Sequence, residues 1–254
     1  MLEEKTITDS AESLLSEGEE KEIERYPEFL NRYYRKVIEN AVGWRKYMMR
    51  YVQEGDQVLE GGCSRISYIR QNGFHGFIVG IDIIEASIRR NQDLNCGAMA
   101  NLDQLPFQDE TFNVIHLGSV VEHLEHPETV FHECHRVLKK DGFLILNTMC
   151  VYNPIMAFNA FLPLKVRIFI KERILKIGGI SLDTFPAYYR CNSPGKINKM
   201  MHRTGFSKKH FRMIGLPITR ANLAFYALFL LYERITDFKW LRIFKHSFAA
   251  CYSK

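Results

Sequence analysis

A chain of 254 residues, 46% hydrophobic and 25% charged, can bury a sizeable core as one α/β domain with an elaboration, and this composition excludes a fibrous or wholly disordered protein. The six cysteines are scattered without a Cys-x-x-Cys pair, which signals neither a zinc site nor a disulfide framework, and the acidic start "MLEEKTITDSAESLLSEGEEKEIE" lacks the apolar stretch of a signal peptide; a reducing, cytoplasmic setting is expected. The net charge of +5 hides a gradient: residues 1–25 carry nine acidic and three basic side chains, residues 151–254 eighteen Lys and Arg against four Asp and Glu. Such a cationic half suits an anionic partner (a membrane surface, a phosphorylated substrate, nucleic acid) or is simply a well-solvated surface.

Residues 1–24 are polar and aperiodic and predict a tail without fixed structure; residues 25–254 read as a single domain. From Glu22 to about Val52, apolar and aromatic residues at mostly helical spacing, with Pro27 near the start, predict one or two helices. A short strand over Gln57–Glu60 is closed by Gly61 and Gly62. Then follow a helical stretch to Asn72 ending at Gly73, the strand "FIVGID", a helix from about Glu85 to Gln92, and a short strand near Gly97–Ala100. The loop "NLDQLPFQDETF" leads to the strand "NVIHLG", a helix from about Glu128 to Lys139, a Lys-Asp-Gly turn and the strand "FLILNT". This alternation predicts a doubly wound, mostly parallel, Rossmann-like sheet over residues 55–150, binding its ligand at the carboxyl ends of the strands.

Beyond Asn153 the chain turns apolar and basic, and residues 151–205 are expected to form a helical cap inserted after the fifth strand. Val166, Phe169, Ile170, Ile174 and Ile177 share one helical face flanked by Lys and Arg; such a face packs on the sheet or lies on an anionic bilayer. A later helix is capped by Ser193, with Pro194 in its first turn, and closes at Gly205. In residues 206–254, "KKHFRMI" and "HSFAACYSK" complete seven strands. Between them "NLAFYALFLLYERI" is apolar all round but shorter than the roughly 20 residues that span a bilayer.

Four strand ends converge on a nucleoside-sized pocket. Glu60-Gly61-Gly62 offers backbone that a ligand can approach closely, and Asp82 is an acid that can accept both hydroxyls of a ribose. Asn101-Leu102 follows the third strand, where an amide can meet an adenine edge, and Gly118 ends the fourth.

Read together, "VLEGGC", "VGID" and "LPFQDETFNVIHLGSVVEHLEHPETVFHECHRVLKKDGFLIL" resemble the class I S-adenosylmethionine-dependent methyltransferases, in the broad group that holds the ubiquinone-biosynthesis enzymes. The likeness covers about residues 55–150 and rests on four segments in the right order. It implies S-adenosyl-L-methionine as cofactor, with Glu60 and Gly62 under its methionine part, Asp82 on the ribose, Ile83 against the adenine, and Asn101 and Leu102 at the adenine edge. His123, an imidazole beside Glu122, is the candidate general base for a substrate hydroxyl, or only fixes the loop. Tyr188, Tyr189 and Arg190 are expected at the substrate mouth, or packed beneath the cap. Ser64 and Ile66 take the places of later glycines of the family loop, or about three residues are lost there and "RISYI" has slid forward. A β-branched Ile66 resists positive φ and is expected to crowd the cofactor, while Arg65 could pair with its carboxylate.

The histidine cluster His116, His123, His126, His132 and His135 falls on strand and outer-helix positions, and no metal is expected. Two functions follow: methyl transfer to an amphiphilic or phosphorylated small-molecule or lipid-linked acceptor, possible only if the loop admits the cofactor, or a non-catalytic scaffold on the same fold. A dinucleotide-dependent oxidoreductase lacks its Gly-x-Gly-x-x-Gly spacing, and no base-methylation motif points to nucleic acid.

Overall fold

The computed structural model describes residue 24, residues 26–154, 157, 166, 186–215 and 223–254. The expected tail before residue 24 and the amphipathic face at 165–177, Val166 apart, lie outside the described residues. Strands β1 (Gln57–Gly61), β2 (Phe77–Asp82), β3 (Cys96–Met99), β4 (Phe112–Gly118), β5 (Leu138–Met149), β6 (Ser207–Ile214) and β7 (Ser247–Ser253) form one sheet in the order β3-β2-β1-β4-β5-β7-β6. The first five are parallel, and β7 runs antiparallel between β5 and β6. The strand order reverses between β1 and β4, so a crevice opens where their carboxyl ends diverge.

Alternation along each strand sends neighbours to opposite faces. Leu59, Ile115, Leu117, Leu144 and Leu146 pack one way, with Val130, Phe131 and Cys134 of helix α4 (Pro127–Val137). Val58, Val114, Ile145 and Ala249 pack the other way, against Trp44 and Met48 of α1 (Glu28–Met48) and Ile69 of the single turn α2 (Tyr68–Gln71). Because both faces are covered, β4 is a near-continuous apolar run, as a central parallel strand must be. Each fully buried large side chain contributes roughly 1.5–3 kcal/mol.

Four features differ from the pattern read along the chain or sharpen it. The stretch expected to hold one or two helices is, over Glu28–Met48, one long helix, α1, extended by a 3-10 turn at Met49–Tyr51. Helix α4 stops at Val137 and β5 begins at once, so the Lys-Asp-Gly turn becomes a wide bulge within the strand. Leu138 pairs with Phe112 and Phe143 with Val114, and Asp141 sits in the left-handed region at φ 62°. Helix α5 (Pro194–Arg203), counted above with the cap, packs instead in the main core through fully buried Ile197 and Met201, and Ser193 Oγ accepts the Lys196 amide at its start. Finally, α3 (Glu85–Arg90) and α6 (Leu223–Ile235) complete the described helices of more than one turn. Tyr226, Phe229 and Leu230 of α6 meet Tyr34 and Ile38 of α1, while Leu228, Leu231 and Ile235 stay exposed. After α6, buried Lys245 ties the chain down, its Nζ 2.9 Å from Glu233 Oε2 and 3.0 Å from Asp237 Oδ1.

Candidate cofactor and active site

The loop after β1 turns back onto β2. The Gly62 and Cys63 amides both donate to the Ile81 carbonyl, at 2.8 and 3.0 Å, and Gly62 and Ser64 take left-handed φ of 67° and 48°. That turn presents the Ser64 N–H to Asp82 Oδ2 at 3.0 Å, while Asp82 Oδ1 accepts from the Ile84 N–H at 2.9 Å. The carboxylate at the end of β2 therefore caps its own following turn and holds the opening loop, with its remaining lone pairs free to accept from a ligand.

Beneath the loop lies Glu60, buried, whose Oε1 accepts from the Ile69 amide at 3.1 Å and is 3.2 Å from His116 Nδ1. Burial, then the charges of Asp82 and Glu60, push the Cys63 thiol up to about 12, so it is neutral and unreactive here.

The glycines answer to packing first. A Cβ on Gly61 would come within 2.6 Å of Leu117 and 2.8 Å of Leu102, and one on Gly62 within 2.5 Å of Val120. Ile66 is 65% exposed and does not line the cavity, so the crowding expected of it is absent; Arg65, also exposed, does not line it either.

A cavity of about 530 Å³ opens over the β1/β4 reversal, within the range of small-molecule and cofactor sites. Of the residues singled out by sequence, Gly62, Asp82, Ile83, Asn101, Leu102, Gly118, His123 and Tyr188 line it. Glu60 and Gly61 are one layer below, and Glu122, Tyr189 and Arg190 lie outside the lining. Glu122 is buried, its carboxylate accepts the Thr148 hydroxyl at 2.5 Å, and its carbonyl takes the amides of Tyr188 and Tyr189, fixing the returning segment against the strand ends. Tyr189 is held at φ 51°, and the exposed Arg190 guanidinium lies 5.8 Å from the Tyr188 ring.

His123 Nδ1 is 2.9 Å from the Pro186 carbonyl, which can only accept. Nδ1 therefore carries the proton in the neutral ring and Nε2 is left as the basic nitrogen. Asn101 folds its amide oxygen onto the Asp103 N–H at 3.2 Å. Sequence reasoning missed Ser87, Glu125 and Pro186 as lining residues. Ser87 faces the cavity only because α3 starts where it does, and Pro186 arrives from across the molecule; neither carries a local signal.

Three carboxylates, Asp82, Asp103 and Glu125, line the cavity, and among the described lining residues there is no Lys or Arg. The hollow favours a cationic or neutral ligand and opposes a pyrophosphate. Among the described residues no three His, Cys, Asp or Glu side chains converge on a metal-sized site.

Residues 58–146 match the family model described as "Methyltransferase domain". The ubiquinone/menaquinone biosynthesis C-methyltransferase UbiE of Xylella fastidiosa is 30% identical over 151 residues, 51% of this chain and 60% of that one. An uncharacterized methyltransferase of Schizosaccharomyces pombe is 28% identical over 130 residues, 42% of this chain and 46% of that one. The chain thus spans about half the length of the curated relatives it matches. Among solved structures, an S-adenosylmethionine-dependent methyltransferase from Mesorhizobium loti superposes with a TM-score of 0.56 at 15% identity, covering 84% of this chain and 96% of that one. Residues 58–146 thus match a methyltransferase domain in sequence, and the seven-stranded sheet with its cavity at the strand reversal has the fold of a solved S-adenosylmethionine-dependent methyltransferase.

Proposed function

We propose that the protein binds S-adenosyl-L-methionine in this cavity and transfers its methyl group to a small amphiphilic acceptor. One observation carries the reading: the lining holds three carboxylates and no described Lys or Arg at a Rossmann-type strand reversal, which suits a sulfonium cation bearing a nucleoside. When bound, that cofactor supplies a methyl group already activated by the adjacent sulfonium. The residues present fit it. Asp82 keeps acceptor capacity for a ribose diol after its two backbone bonds, Ile83 and Leu102 offer apolar surface to an adenine, and Asn101 keeps donor capacity for a ring edge. Gly62 would take the cofactor's methionine end, with buried Glu60 beneath holding the loop, and Gly118 would offer close-approach backbone on the opposite strand end.

The protein's own share of the chemistry is mostly positioning, since alignment of nucleophile, methyl and leaving sulfur accounts for most of such a barrier. His123 Nε2 accepts the proton of the attacking acceptor; Glu122 positions the segment that holds His123 through Pro186 and delivers Tyr188 to the acceptor side. A relative that is a quinone C-methyltransferase supports a ring acceptor with an apolar tail, and the acidic lining favours a neutral head over a phosphorylated one at the reacting position. An anionic membrane surface is the natural reservoir of such acceptors. Calorimetric titration with S-adenosylhomocysteine tests the reading: saturable micromolar binding is expected, whereas no heat at millimolar ligand overturns it in favour of a non-catalytic scaffold.

A further inference from the structure

We infer that the outer row of α6 and the turn after it form a docking element for an anionic lipid bilayer. Leu228, Leu231 and Ile235, at i, i+3 and i+7, face away from α1, and the row continues into Phe238, Trp240 and Ile243; Phe238 is 62% and Trp240 84% exposed. A folded chain gains nothing by leaving a Phe and a Trp two residues apart exposed to water, and a run of exposed apolar side chains of this kind marks an interaction surface.

Charge selects the occupant. The two acids of this segment, Glu233 and Asp237, are both committed to Lys245, while Arg234, Lys239 and Arg242 are exposed around the apolar row. An apolar face with Trp and Phe, ringed by cations, suits the boundary between acyl chains and anionic headgroups. The half of the chain from residue 151, eighteen basic side chains against four acidic, has the same sign. No helix among the described residues is long and apolar enough to cross a membrane, so the element lies on the surface. The docking does not depend on methyl transfer and is tested without cofactor.

The two tryptophans separate cleanly, because Trp44 is 3% exposed and already in an apolar environment. A blue shift of the emission therefore reports Trp240. Phosphatidylcholine vesicles containing phosphatidylglycerol are expected to produce that shift and to co-sediment the protein, and pure phosphatidylcholine vesicles much less so. Phe238→Ser is expected to weaken partition roughly tenfold with Trp240 still reporting. Lys239→Glu and Arg242→Glu are each expected to weaken it about fivefold or more. Unchanged circular dichroism shows each variant to be folded. The proposal is overturned if neither shift nor co-sedimentation occurs, or if vesicles bind without moving the Trp240 emission. It is equally overturned if the shift appears on raising protein concentration alone, which would make a second copy of the chain the occupant.

Discussion

The Asp82 carboxylate and the Ser64 amide, eighteen residues apart in sequence, are joined by a 3.0 Å hydrogen bond that ties the loop after β1 to the end of β2. One side chain thus shapes the loop and faces the ligand. Asp82→Asn keeps an oxygen for one amide but turns an NH₂ group toward the other or toward the ribose. Affinity for S-adenosylhomocysteine is expected to fall roughly tenfold to a hundredfold, the loss of a charge-assisted hydrogen bond. Calorimetry measures this, and an unchanged affinity would remove Asp82 from the site.

Gly62 and Ile66 are expected to behave oppositely to what residue type alone suggests. Gly62→Ala places a Cβ at positive φ and within 2.5 Å of Val120, costing about 2 kcal/mol or more in urea unfolding. Ile66→Ala, on an exposed side chain, is expected to change stability by less than about 0.5 kcal/mol and ligand affinity by less than about twofold. A large affinity gain from Ile66→Ala would mean that the side chain does enter the cavity.

Turnover is expected to depend on His123. With a competent acceptor, His123→Ala should lower kcat about a hundredfold or more while leaving the affinity for S-adenosylhomocysteine within about twofold. A parallel loss of both would indicate that the ring only holds the Pro186 segment.

Acid is expected to unfold the protein through half-buried imidazoles. Burial holds His246 down at about 4, against 6.5 in water, so the unfolded chain binds the proton more readily. Its contribution is complete above pH 6.5 and is lost as pH falls toward 4, on the order of 2–3 kcal/mol. His135 and His210 are lowered too, by burial first and then by nearby cationic groups, so they add to the same slope. His246→Gln should flatten the pH dependence of the urea midpoint in this window; an unaltered slope would contradict the assignment.

Lys245→Met should be among the more damaging substitutions outside the cavity. It would remove the ammonium that lies 2.9 Å from the fully buried Glu233 carboxylate, at a cost of roughly 3–5 kcal/mol. A urea midpoint close to that of the parent protein would contradict this.

Much of the molecule is written locally. The apolar run of β4, the Ser193-Pro194 helix start and the glycines after β1 are short-range patterns, and each strand end they predict meets the others at one crevice because a doubly wound sheet allows little else. Eight of the thirteen residues singled out in advance line that crevice, since strand ends can be read from periodicity. Long-range packing decided the rest. Whether Ile66 fills the cofactor space depends on how Ser64 bends toward Asp82; whether Glu122 is exposed beside His123 depends on Thr148, 26 residues away, and on the backbone of Tyr188. Nor does any local pattern say which side of an all-apolar helix is left uncovered: α6 reads the same all round, and its packing on α1 turns Leu228, Leu231 and Ile235 to solvent. Side-chain direction and exposure are properties of the closed chain, because they depend on which surfaces distant segments bring together.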